Sequence, residues 1–223
     1  PILTHNWAEV LTTNFMMDGD SDFSEPPPLI LHFDVNKTVI IADSIMNKST
    51  EYTIREVIAN QVWGTIEYKT EEGSGESRPI WKWDGRGPSL EAEAHTDKPI
   101  NYLWFVRNTV EDKSAIRLAT RSFELVNLPE CRQMMSEFAD QAVRSMTIPV
   151  GQRTKELEDG TGLVGEWRLI FPSFFKFIAH LHKQKRHFAI LFRSFGTDLD
   201  RLRTEWNAFC EKRHPLYMDC MEG

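Results

Sequence analysis

Leu29-Ile30-Leu31-His32-Phe33-Asp34-Val35-Asn36-Lys37-Thr38 is the stretch that decides how the rest of the chain is read. A short apolar run leads up to Asp34, and the polar cluster Asn36, Lys37 and Thr38 follows at once. Such a run, rich in Leu and Ile and ended abruptly, predicts a buried strand of an α/β sheet. Ligands of these sheets gather at the carboxyl ends of the strands, so Asp34 is expected at the lip of a crevice. A carboxylate there can be a nucleophile, a metal ligand, or both. Pro26-Pro27-Pro28 delivers the chain into this strand as a stiff, extended segment.

A second run of the same kind, Phe188 to Phe192 (FAILF), ends in Arg193-Ser194-Phe195-Gly196-Thr197-Asp198. Before it, Phe171 to Lys185 has the pattern of an amphipathic helix with Phe174, Phe177, Ile178 and Leu181 facing inward. After it, a helix is expected from about Thr197 to Lys212. Helix, strand, helix in that order is the unit a parallel sheet requires. Ser194 sits where the strand ends, as Asp34 does.

Between the two runs the signals are mixed. Ser49-Thr50-Glu51 predicts the start of a helix to about Trp63, with Ile54, Ile58 and Val62 on its buried stripe. Glu71 to Pro79 reads as a loop, Trp81 to Trp83 as a strand, and Asn101 to Val106 as another. A short strand is expected at Ser122 to Leu125. Pro129 to Met146 predicts a long helix with Met134, Phe138, Ala142 and Met146 inward. Trp81, Trp83 and Trp104 are expected in the core. The glycines at Gly85, Gly87 and 160–165 do not fit a phosphate loop, because no lysine and hydroxyl follow them as that motif needs.

The totals bound what the protein can do. At 223 residues there is enough chain for one large domain or two small ones. A formal net charge of −7 argues against a nucleic-acid partner, which needs a basic surface. Three scattered cysteines, Cys131, Cys210 and Cys220, point to free thiols in a reducing compartment, hence a cytoplasmic protein. No apolar run is long enough to span a bilayer, so no membrane partner is expected. Asp18, Asp20 and Asp22 alternate like calcium ligands, but Phe23 and Leu29 stand where such a loop needs Gly and Glu. His180 and His187 lack the further ligands a zinc site requires.

An apolar strand ending in D-x-x-x-T, here Asp34 to Thr38, resembles the first motif of the haloacid dehalogenase-like (HAD) superfamily. HFDVNKT is similar to an uncharacterised, mainly eukaryotic branch of it. The superfamily's second motif is a strand ending in Ser or Thr, and Ser194 occupies that place. The resemblance implies a Rossmann-like α/β core with a parallel sheet, incomplete at its C-terminus, and a large α+β cap. Residues 1–28 would be a lead-in, 29–43 and 170–223 the core, and 44–169 the cap or insertion. It implies a magnesium-dependent phosphatase or phosphotransferase working through an aspartyl-phosphate on Asp34. Magnesium would be held by Asp34 and the main-chain carbonyl of Asn36. Ser194, or Thr197 in its stead, would bind a phosphoryl oxygen, with Arg193 as a charge clamp. The substrate would be a phosphorylated small molecule or a phosphoprotein.

Two departures bear on this. Most phosphatases of the superfamily have a second Asp two residues after the nucleophile, and here that residue is Asn36, an amide that neither donates nor takes a proton. The third and fourth motifs should follow Ser194, yet in residues 195–223 Lys212 and Asp219 fit them poorly. These departures favour either a catalytically impaired binding module or a fragment of a longer protein. An interaction domain without a small-molecule site would instead have Asp34 buried and paired.

Overall fold

The computed structural model describes residues 12–13, 27–41, 48–70, 73, 75–194 and 197–218. In chain order the elements are β1 (Thr12–Thr13), β2 (Leu29–Asp34), α1 (Thr50–Gln61), β3 (Trp63–Thr70), β4 (Ser77–Trp83), β5 (Ile100–Asn101), α2 (Tyr102–Thr109), α3 (Lys113–Ser122), α4 (Pro129–Met146), α5 (Lys155–Thr161), α6 (Pro172–Lys183), β6 (Phe188–Arg193) and α7 (Leu199–Cys210). The fold is α/β, and the described residues form two three-stranded sheets in two compact units. The first unit comprises Pro1–Lys48 and Ser145–Gly223, the second Ser49–Arg144. Among the described residues no helix is long and apolar enough to cross a membrane.

In the first unit the strands run in the order β1-β6-β2. β2 and β6 are parallel, from Leu29 opposite Phe188 to Asp34 opposite Arg193, and β1 is antiparallel to β6. Two apolar runs far apart in sequence thus become neighbours because each presents one side to the same core. Phe33 meets Phe174 edge-to-face at 5.1 Å, and Phe174 and Phe192 both pack on Trp206 at 5.7 Å. α6 and α7 therefore lie on the face shared by Leu31, Phe33, Ile190 and Phe192. The expected fully buried strand is instead half-buried. Leu29, Leu31 and Phe33 are partly covered while Ile30, His32 and Asp34 are exposed, the alternation of a strand whose other face meets water.

Residues 145–169, which the sequence reading assigns to the insertion, pack with this sheet. Ile148, Leu157, Leu163 and Leu169 belong to the same buried cluster as Phe174 and Trp206. α5 ends at Gly162 in the left-handed conformation, so the glycine-rich stretch is a helix stop. At the far end of the core, Glu205 and His214 are a fully buried pair, 3.2 Å apart. The second carboxylate oxygen of Glu205 accepts the Ile170 N–H at 3.1 Å. The Leu216 N–H points at His214 Nδ1 (3.3 Å), so Nε2 carries the ring proton and donates to Glu205.

The second unit pairs β3 antiparallel with both β4 and β5 and closes the sheet with α1 to α4. α1 starts at its expected cap, Ser49, whose hydroxyl accepts the Tyr52 N–H, and it buries Ile54 and Ile58. The expected strand at Asn101 to Val106 is a helix start: Asn101 Oδ1 accepts the Trp104 N–H at 2.8 Å, and α2 follows. The expected strand at Ser122 to Leu125 is the end of α3, stopped by Phe123 at φ 56°. In α4 the buried stripe is Cys131, Met135, Ala139 and Met146, one residue out of step with the expected set up to Ala139, and Phe138 is exposed. In α6 the buried set is Phe174, Phe175, Ile178 and Ala179, with Phe177 exposed. Trp81 is core, whereas Trp104 is 46% exposed. Asp18 to Asp22 and Cys220 lie outside the described residues.

Candidate functional site at the ends of the parallel strands

The parallel ladder carries on past its last residues, since the Val35 N–H donates to the Arg193 carbonyl at 3.0 Å. β2 and β6 therefore end level, and the chain turns immediately after β2. After β2 the turn is locked by its own backbone. The Val35 carbonyl accepts from the N–H groups of Val39 (2.9 Å) and Ile40 (3.0 Å), and the Lys37 N–H donates to the Ile40 carbonyl (2.8 Å). Val35, Val39 and Ile40 are fully buried and pin the turn to the core. Lys37 adopts φ 62°, a left-handed conformation that costs a non-glycine residue about 1–2 kcal/mol and persists because its surroundings impose it.

Asp34 and Arg193, opposite one another in the register, are both exposed on the water-facing side of the sheet. Ser194 is only 6% exposed, on the side of Phe192. Its hydroxyl donates to Asn36 Oδ1 at 2.9 Å, and Asn36 Nδ2 donates to Asp198 Oδ2 at 3.1 Å. Thr197 is exposed beyond this chain of bonds, and Thr38 is exposed in the turn.

Asp198 is the residue that sequence reasoning missed. It stands directly before α7, where an Asp ordinarily caps the helix, yet its side chain makes no capping bond. It is 2% exposed and turned toward Asn36 instead. Because a carboxylate only accepts, Nδ2 of Asn36 must face Asp198, and Oδ1 must then face Ser194. The direction of both hydrogen bonds is therefore fixed by Asp198.

Compared with protein-family models, with curated proteins and with solved structures, the chain matches none. Asp34 supplies an exposed carboxylate and the turn supplies main-chain carbonyls, hard oxygen donors of the kind magnesium prefers, while the buried Asp198 is taken up by Asn36. Among the described residues no three His, Cys, Asp or Glu side chains cluster closely enough to hold a metal on their own. Magnesium commonly uses one or two carboxylates and completes its shell with water and substrate phosphate, so this donor set suits it. A groove of about 520 Å³ lined by Arg153, Lys155, Glu158 and Glu166 shares no residue with the strand ends.

Proposed function

We propose that the chain is a HAD-like phosphoryl-transfer domain in which Asp34 takes the phosphoryl group. The observation that supports this reading is the exposed Asp34 carboxylate at the end of β2, level with the end of its parallel neighbour β6 and beside the Asn36–Ser194 contact. An interaction domain would call for a buried, paired Asp34, and the exposure of that carboxylate speaks against it. A cytoplasmic setting and a phosphorylated small molecule or phosphoprotein as substrate belong to the same proposal.

An oxygen of Asp34 attacks phosphorus in line with the departing oxygen; the bond to the leaving group breaks and an acyl phosphate forms on the carboxylate. Arg193, opposite Asp34 in the register, offsets charge on the phosphoryl oxygens. Magnesium would be held by Asp34 and the Asn36 carbonyl and would supply further charge neutralisation when bound. Asn36 neither protonates a leaving group nor activates water, and its amide is occupied by Ser194 and Asp198. General acid–base help is worth about 10²- to 10⁴-fold, so alkyl monoesters are poor substrates and the acyl phosphate hydrolyses slowly. Donors whose leaving group needs no proton, such as acyl phosphates, are the ones this site handles.

The test is the intact mass of the protein after incubation with magnesium and acetyl phosphate, beside Asp34→Asn. A phosphoryl adduct in the parent that is lost in the variant is expected. Its absence from the parent removes the enzyme reading. The second reading, a binding module with an impaired site, is favoured by the committed Asn36 amide. It would then be carried by magnesium-dependent beryllium fluoride binding without covalent change.

A further inference from the structure

We infer that Asp198 is a positioning residue that acts through Asn36 to hold the proton of Ser194 away from an anion in the crevice. The inference rests on reading the strand ends as a phosphate site. Three observations carry it. Asp198 is nearly fully buried at the head of α7 and leaves the helix uncapped by its side chain, forgoing a contact worth about 0.5–2 kcal/mol. Its Oδ2 receives Asn36 Nδ2 from 162 residues away along the chain. The Asn36 amide has one donor end and one acceptor end, so the carboxylate at one end dictates that Ser194 donates at the other.

The consequence concerns what the crevice prefers. A hydroxyl that binds a phosphoryl oxygen must give it a proton. The Ser194 proton already has an acceptor in Asn36 Oδ1, so an anion competes with that bond and gains little from Ser194. Removing the Asn36 acceptor frees the proton without changing any charge. Replacing Asp198 by Asn lets the amide reverse, so that Nδ2 donates to Ser194 and the hydroxyl proton turns to the crevice. A purely structural network predicts the opposite, with looser packing and weaker binding in both variants.

The experiment is an inorganic phosphate titration followed in ¹⁵N spectra of Asn36→Ala and Asp198→Asn, each with Ser194 and with Ser194→Ala. A hydrogen bond to a charged group corresponds to about 10- to 100-fold in affinity. Both single variants should tighten phosphate by about that factor, and the gain should vanish when Ser194 is Ala. Equal effects with and without the hydroxyl, or weaker binding in both, overturn the inference. The Asn36 side-chain amide signals, identified by their loss in Asn36→Ala, give a readout that needs no ligand. They should shift in Asp198→Asn while the urea midpoint stays near that of the parent. If no variant binds phosphate and the amide signals shift, the phosphate reading fails and the positioning role of Asp198 stands. If the amide signals do not move, the positioning role fails.

Discussion

Replacing Glu205 in the buried pair with His214 tests whether the first unit is held by specific polar bonds as well as by its aromatic core. Glu205 is fully buried; one oxygen takes the His214 Nε2–H at 3.2 Å and the other the Ile170 N–H at 3.1 Å. His214 Nδ1 accepts the Leu216 N–H at 3.3 Å. Glu205→Gln keeps the shape but has a single acceptor oxygen. Whichever way the amide turns, one buried N–H faces another, or the ring switches tautomer and loses Leu216. One unsatisfied buried donor costs about 1–3 kcal/mol. Glu205→Ala strands both donors, at about 1–3 kcal/mol each, and opens a void whose cost adds to theirs. Against a typical domain stability of about 5–15 kcal/mol, the first variant folds and the second is marginal. Urea unfolding followed by circular dichroism at neutral pH gives both values. The reasoning is refuted if Glu205→Gln lies within about 0.5 kcal/mol of the parent, or if Glu205→Ala costs no more than Glu205→Gln.

Two further predictions concern Gly64 and the two thiols Cys131 and Cys210. At Gly64 an added Cβ would sit 2.2 Å from the Lys82 carbonyl oxygen and 2.8 Å from the Trp81 ring, where β3 and β4 pair. Gly64→Ala should therefore cost more than the about 1–3 kcal/mol of ordinary overpacking; a thermal midpoint unchanged from the parent would contradict that pairing. Burial pushes the thiols of Cys131 and Cys210 up to about 12. At pH 8 about one in ten thousand of each is thiolate, so both should resist an aromatic disulfide reagent in the folded protein and react once urea unfolds it. Fast labelling in the native state, located by peptide mass, would refute the burial of Cys131 or the partial burial of Cys210.

What the sequence made legible were the features with a local cause. The end of β2 at Asp34 follows from an apolar run stopped by polar residues, and Ser49 and Pro129 announce α1 and α4. NYLWFV misleads because the five apolar and aromatic residues after Asn101 suit a strand and a buried helix turn equally. The deciding feature is one side-chain bond, Asn101 Oδ1 to the Trp104 N–H. α4 shows a related limit: stripes through Met134 and through Met135 are equally apolar on paper, and only contact with Phe105, Phe123 and their neighbours selects Met135. The pairing of β2 with β6 is legible as two similar strands, while their register, and hence which residues stand level at the strand ends, comes from packing on α6 and α7.

Asp198 was illegible for a sharper reason, and that reason bears on function. An Asp just before a predicted helix already has a sufficient local explanation, capping, so nothing in the sequence asks for another. The structure withdraws that explanation by turning the carboxylate away from the helix N–H groups and burying it against Asn36. Holding α7 to the turn after β2 does not require this choice, because apolar replacements of buried polar clusters are often neutral or stabilising. What the polar choice adds is direction: a carboxylate orients an amide, and the amide orients a hydroxyl. Val35 and Phe192 beside it supply adhesion but no direction. The strand ends thus combine an exposed carboxylate at Asp34 with a buried, fixed hydrogen-bond chain at Asn36, Ser194 and Asp198. Orientation of a hydroxyl matters only to a bound group, which is why the chemistry of this protein should be sought at these four residues first.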